Sequence, residues 1–117
     1  MQNNLEGRTR AFAVDVIRFV ETLEGKSSSL IARQLIRSAT SIGANYREAV
    51  RAESHDDFVH KLNISSKEAA ETEYWLEILN DLRGSPDAAR LRQESNELLR
   101  ILTASVKTAR TSQLQNS

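Results

Sequence analysis

Apolar side chains recur along most of this chain at alternating steps of three and four residues, the spacing that stacks them on one face of an α-helix. Over residues 8–24 the repeat is carried by Phe12, Val16, Phe19, Val20 and Leu23. In the second stretch it is carried by Ile31, Leu35, Ile42 and Ala49. The third is the most regular: Phe58, Leu62, Ser65, Ala69, Thr72, Leu76 and Leu79 follow without a missed step, and Trp75, Ile78 and Leu82 broaden the stripe. This is the pattern of a bundle seam, here with a polar middle. A fourth stripe runs through Leu91, Leu98, Leu102, Ser105 and Ala109, flanked by Leu99, Ile101 and Val106.

Three breaks separate the four stripes, and each combines a helix stop with a helix start. Gly25 suits the left-handed position after a last turn, and a serine of Ser27-Ser28-Ser29 can cap the helix that follows. Ser54 can cap the third helix, with Asp57 placed to reach back. Ser85 can cap the fourth, with Pro86 at its first position. Gly43 falls inside the second helix, where glycine costs about 1 kcal/mol relative to alanine; a close helix–helix approach or a kink would account for it. Loops this short force successive helices to run antiparallel, so the expected fold is an all-α, up-down-up-down four-helix bundle over residues 7–110. Residues 1–6 and 111–117 carry too little apolar surface to offset ordering entropy and are expected to be disordered.

Composition narrows the chemistry. With no cysteine, disulfides, thiolate catalysis and cysteine-ligated zinc or iron are excluded. One proline and four glycines are too few for an all-β sandwich. Lys plus Arg and Asp plus Glu both number 16 in the 117 residues, so the field that draws proteins onto DNA or anionic membranes is absent. The opening Met1 to Gly7 has no secretory pattern, and the most apolar window, Ala11 to Val20, is interrupted by Asp15 and Arg18. A cytoplasmic location with neither a membrane nor a DNA partner is therefore expected.

The charge is unevenly spread. Residues 1–51 hold 8 basic and 5 acidic side chains, residues 52–85 hold 3 and 8, and residues 86–117 hold 5 and 3, so the third helix is the acidic one. In a hairpin turning near residue 53, Arg33 comes to face Glu73, Arg37 to face Glu68 or Glu71, and Asn45 to face Lys61. Arg37, Ser41, Asn45 and Glu48 share one stripe. Solvated ion pairs there are worth about 0–1 kcal/mol each; partly buried, the stripe would instead set the register between helices two and three.

Catalytic and metal patterns are missing. His55 and His60, five residues apart, lie on different faces of a helix. Asp57 and His60 have carboxylate–histidine spacing, but a di-metal bundle needs that motif twice. Ser54-His55-Asp56 diverge around the helix and no nucleophile elbow or glycine-rich phosphate loop is present. No catalytic residue, cofactor or metal is expected. The best nucleic-acid candidate is the stripe Arg100, Lys107 and Arg110 on the last helix, extended by Arg90 and Arg92.

The run from Arg33 to Ala49, Arg-Gln-Leu-Ile-Arg-Ser-Ala-Thr-Ser-Ile-Gly-Ala-Asn-Tyr-Arg-Glu-Ala, is followed by Ser54, Phe58, Leu62, then Lys67-Glu68-Ala69 and Glu71-Thr72-Glu73-Tyr74-Trp75-Leu76. Together these resemble the bacterial four-helix-bundle family named for proteins encoded in intervening sequences of large-subunit ribosomal RNA, over about residues 8–110. The family's common motif is Ser-Ile-Pro-Ser-Asn-Ile-Ala-Glu-Gly. Ser41, Ile42, Asn45 and Glu48 match it, whereas Gly43 replaces the proline and Ala49 the final glycine, as in a variant branch. The resemblance implies a left-handed bundle that assembles into a ring-like homopentamer without known catalytic activity. A related group, the accessory proteins of diversity-generating retroelements, binds RNA and a reverse transcriptase but is strongly basic, unlike this neutral chain.

Two functions from different classes follow. The first is a non-enzymatic oligomeric scaffold or adaptor, a homopentamer that self-associates through Trp75, Ile78 and Leu82, with Arg37, Ser41, Asn45, Glu48, Glu68 and Glu71 in structural roles. The second is an RNA- or ribonucleoprotein-associated accessory protein using Arg100, Lys107 and Arg110. An unidentified protein or RNA is then the further partner. An enzyme would need converging carboxylates, for which Glu48, Glu68 and Glu71 are the candidates.

Overall fold

Four helices follow one another: α1 (Leu5–Val20), α2 (Lys26–Val50), α3 (His55–Arg83) and α4 (Pro86–Gln115). The computed structural model describes residues 4–115, with side chains to residue 112. Each helix packs on its neighbours in sequence and α1 also reaches α4, giving an all-α four-helix bundle 52 Å long and 26 by 20 Å across. The α1 and α3 backbones stay apart, as do those of α2 and α4, with no Cα atoms within 8 Å, so these pairs are the diagonals. Among the described residues no helix is long and apolar enough to cross a membrane.

The core lies where the stripes converge. Phe12 and Val16 of α1, Leu35 and Ile42 of α2, Leu62, Leu76 and Leu79 of α3, and Leu91, Leu98 and Leu102 of α4 are all buried. Two of the anticipated seam positions shift by one residue. Val59 is buried where Phe58 was expected, and Phe58 leans on the core from its edge; on α4, Val106 is buried while Ser105 is half-exposed. Both shifts lie towards the Ser54–α4 end of the bundle, where α1 is too short to add a fourth wall. Ile31 likewise packs against the core only partly, with Ala32 taking the buried place.

Small hydroxyl side chains lace the centre. Ser65 Oγ donates to the Ile42 carbonyl at 2.7 Å, and the hydroxyls of Thr72 and Ser38 bond at 2.8 Å. Ser66 and Thr103 do the same between α3 and α4 at 3.1 Å. Among the described residues no buried side-chain nitrogen or oxygen lacks a partner, so the polar middle of the α3 seam carries no desolvation penalty for an unmet group.

The ends follow the capping chemistry in two places and depart from it in two. Ser54 Oγ accepts the Asp57 amide at 3.0 Å, and Ser85 Oγ accepts the Ala88 amide at 3.0 Å. α1, in contrast, stops at Val20, earlier than residue 24, because Thr22 and Leu23 turn back to bond the Phe19 and Val20 carbonyls; Leu23 packs on the core from that turn. Gly25 has the expected positive φ, 102°, but as the residue before α2 and not after α1. α2 has no side-chain cap, since it starts at Lys26 with Gly25 as its cap residue and Ser27, Ser28 and Ser29 fall inside its first turn; there Ser28 is buried and its Oγ accepts from Arg83 Nε at 2.9 Å. α1 also begins earlier than anticipated. Leu5 and Glu6, inside the 1–6 stretch expected to be disordered, are helical because Glu6 is bonded by Arg47 and Arg51. The other end is helical through Gln115, beyond the expected limit of 110, with Thr111 Oγ1 bonded to the Lys107 carbonyl. The expectations for residues 1–3 and 116–117 lie outside the described residues.

Gly43 marks a close approach. A Cβ there would sit 2.9 Å from Thr9 Oγ1 and 3.2 Å from Thr9 Cβ, so α1 and α2 meet at this point nearer than two side chains allow. Thr9 cannot swing aside, because its hydroxyl is held on the Leu5 carbonyl at 2.7 Å.

Candidate functional site

The α2–α3 face brings together most of the polar positions singled out in the sequence. Arg37 bonds Glu68 at 3.4 Å and makes a shorter contact with Glu71. Glu71 also accepts the indole N–H of Trp75 at 3.0 Å. That hydrogen bond, helped by the Arg37 guanidinium and opposed by partial burial, holds the Glu71 carboxyl below its usual range. Glu71 in turn raises the Arg37 pKa. One turn from the far end, Lys61 Nζ meets Glu48 at 2.7 Å and is raised by it.

Several register details differ from the simple hairpin count. Glu48, not Asn45, faces Lys61; Asn45 instead donates to the Ser41 carbonyl at 2.9 Å. Arg33 has no ion pair among the described residues, because Glu73 turns to α4 and accepts from Asn96 at 3.1 Å. The stripe is also more open than partial burial would have it. Arg37 and Glu48 side chains are 48% and 56% exposed, while Ser41 and Asn45 are half-buried. Long side chains reach their partners from outside the helix contact, leaving the buried register to Ser38, Ser65 and Thr72.

The neighbouring end of the same face is apolar. Tyr74 and Leu82 are 55% and 58% exposed, Ile78 is half-buried between them, and Leu30 at the start of α2 is 65% exposed. Arg83 bonding Ser28 places the start of α2 beside the end of α3. Trp75 is half-buried, its ring 5.1 Å from that of Tyr74 at a tilt of 59°, and it packs on the core, as does Leu99. Part of the surplus apolar surface therefore thickens the core, and Leu82, Tyr74 and Leu30 are left outside it.

Arg100, Lys107 and Arg110 lie exposed on α4 with no ion pair among the described residues. Arg90 and Arg92 are instead drawn to Asp15, Asp87 and Glu77. His55 and His60 do not share a site: His55 Nε2 lies 2.9 Å from the Ala109 carbonyl and His60 is exposed. Among the described residues no three histidine, aspartate or glutamate side chains converge on a metal position. Glu48, Glu68 and Glu71 are each engaged by a cation and do not converge either.

Contacts of α1 with α4 were not legible in the sequence. Arg8 forks onto Glu94 with two bonds of 2.8 Å and reaches Glu97 at 2.8 Å, and these carboxylates raise its pKa. Beside it is an open groove of about 340 Å³ between Arg8, Asp15, Arg90 and Glu94, with Phe12 and Leu91 buried at its floor. Arg8 and Glu94 are 86 residues apart in the chain, and no local spacing signals such a pair.

Comparison with known proteins gives a consistent picture. The model for the 23S rRNA-intervening sequence protein family matches residues 2–104. A crystal structure of a protein of unknown function from the S23 ribosomal protein family of Bacteroides thetaiotaomicron VPI-5482 is similar, at 37% identity and a TM-score of 0.79. The match covers 87% of this chain and 97% of that one. No curated protein matches.

Proposed function

Because this chain belongs to the 23S rRNA-intervening sequence protein family, we propose that it works as a homo-oligomeric scaffold or adaptor, most simply a homopentamer in the cytoplasm. The protein is a non-enzymatic four-helix bundle. One observation carries the oligomeric reading: Leu30, Tyr74 and Leu82 stand more than half exposed at one end of the α2–α3 face, around half-buried Trp75 and Ile78. Clustered apolar exposure on a small protein usually marks a partner site. In this reading Trp75, Ile78 and Leu82 serve self-association. Arg37 with Glu68 and Glu71, and Glu48 with Lys61, bridge helices two and three from outside, while Ser41 and Asn45 serve structure within helix two.

Finer points belong to the same proposal. An up-down-up-down course is supported by contacts that pair ascending positions of one helix with descending positions of the next: Ser38 with Thr72, Ile42 with Ser65 and Glu48 with Lys61. The left-handed twist rests on the family resemblance. Gly43 and Ala49 within the Ser41–Ala49 run support a variant branch, and the Thr9 contact gives Gly43 a reason. Light scattering at micromolar concentration tests the assembly. A mass near five times 13.1 kDa is expected, and a single species at the chain mass would overturn the reading.

RNA association is the second reading, favoured by one observation: Arg100, Lys107 and Arg110 are exposed cations without ion pairs among the described residues. Binding through three phosphates would make log K fall with log salt at a slope of about −2 on single strands. A filter-binding series at two salt concentrations measures it, and no salt-dependent retention would remove this reading.

A further inference from the structure

Two apolar patches sit on diagonal helices, and their charged surroundings are of opposite sign. On α3, Tyr74, Ile78 and Leu82 recur at steps of four, with Glu71, Glu77 and Asp81 around them. Glu71 and Glu77 are engaged by Arg37 and Arg92, while Asp81 is exposed and unpaired among the described residues. Of the cations on α3, Arg83 is turned inward onto Ser28 and the Glu24 carbonyl, and Lys67 lies a turn before Glu71, two turns from Tyr74. On α1, Val14 and Ile17 are 40% and 38% exposed. Arg10 and Arg18 lie one turn before and one turn after Val14 on its stripe, both exposed and without ion pairs among the described residues. The acid of that stripe, Glu21, lies past the last turn as the helix cap.

From this arrangement we propose that the α3 patch of one copy seats on the α1 patch of the next, a head-to-tail contact between Tyr74, Ile78 and Leu82 on one side and Val14 and Ile17 on the other. The proposal rests on the self-association reading above and adds which surfaces meet. Charge decides between the pairings open to a second copy. α3 against α3 brings the acidic set Glu71, Glu77 and Asp81 onto its own copy, and α1 against α1, crossed at Val14, sets Arg10 near Arg18; like charges juxtaposed across an interface suppress such pairings. α3 against α1 brings Asp81 towards Arg10 and Arg18. The other basic face, around Arg100 and Lys107 on α4, has no large exposed apolar side chain among the described residues with which to cover Leu82 and Tyr74. α1 and α3 lie diagonally in the bundle, and the exposed patches on their outer faces remain available together. Two different patches on one chain give a heterologous contact, which closes into a ring when the rotation per subunit allows.

Val14→Glu and Leu82→Glu test it in the full chain, since both side chains already face solvent and circular dichroism will verify that each variant keeps its helices. Each change is expected to weaken association by about tenfold or more, as for disruption at the centre of an interface. Mixed in equal amounts, the two should form a heterodimer, because one retains an intact α3 patch and the other an intact α1 patch. If the wild type associates and Val14→Glu associates equally well, the head-to-tail pairing is wrong although self-association stands. If the wild type itself runs at 13.1 kDa, the self-association reading fails and this inference with it.

Discussion

α2 and α3 are joined differently from α1 and α4. Between α2 and α3, buried Ser38, Thr72 and Ser65 bond across the interface under a continuous apolar layer. Between α1 and α4 the bonds are ionic and partly solvated: Arg8 to Glu94 and Glu97, with Asp15 and Arg90 3.9 Å apart. α1 is also the shortest helix, 16 residues against 25, 29 and 30. The difference teaches that the four helices are not equivalent members. Neutral bonds in a dry interface are indifferent to salt, whereas exposed charge pairs are screened within roughly 10 Å at 0.1 M salt.

The sharpest break of this contrast is Leu76→Ala, which hollows the α2–α3–α4 interior where Leu76 is fully buried. A loss of about 2–5 kcal/mol is expected, read as a lower urea midpoint with all helicity lost together. Loss of only part of the helicity would mean that α3 is not the common wall of the core.

Gly43→Ala probes the α1–α2 crossing. Overpacking costs typically about 1–3 kcal/mol, against about 1 kcal/mol gained from helix propensity, so a net loss is expected. Thr9→Ala in the same chain should recover most of it, and a double-mutant cycle measures the coupling. An additive cycle would show that the two residues do not meet.

Arg8→Ala and Thr72→Val separate the two kinds of joint directly. Each is expected to cost about 1 kcal/mol at low salt. In 1 M sodium chloride the Arg8 effect should largely vanish and the Thr72 effect persist. Equal salt sensitivity would erase the distinction drawn here.

The smallest effect is a titration. The folded pKa of Glu71 is depressed, so its stabilising contribution is present above the ordinary carboxylate range and lost as pH falls through the lowered value. Trp75 is the single tryptophan and donates to this carboxylate, so its fluorescence should change with a midpoint below that range. Arg37→Gln should move the midpoint upward. A midpoint at the ordinary value would mean that the Trp75 and Arg37 contacts are absent in solution.

Much of the fold is legible in the sequence because helix periodicity and caps are local. The seam of α3, the caps Ser54 and Ser85 and the pairing of Arg37 with Glu68 and Glu71 need only spacing and one hairpin count. What escaped depends on distances between helices. Thr9 is buried because Gly43 lies opposite, Ser38 because Thr72 does, and Ser28, inside the first turn of α2, because Arg83 bonds it from 55 residues away. In the candidate site, residue types were readable but exposure was not. Long charged side chains at stripe positions extend outwards, which left Arg37 and Glu48 in solvent.

The clasp of Arg83 has a mechanical meaning. It fastens the end of α3 to Ser28 and to the Glu24 carbonyl, and Gly25 beside it leaves no space for a side chain, since a Cβ would lie 3.0 Å from the guanidinium. Taken with that corner as pivot, α1 spans roughly 24 Å at about 1.5 Å per residue, and its start is held by Glu6 on Arg47 and Arg51 and by Arg8 on Glu94 and Glu97. A tilt of about 10° at the pivot would carry Leu5 about 4 Å sideways over that length. Thr9 against Gly43 sits near that far end, where a single close contact opposes such a tilt with the least material.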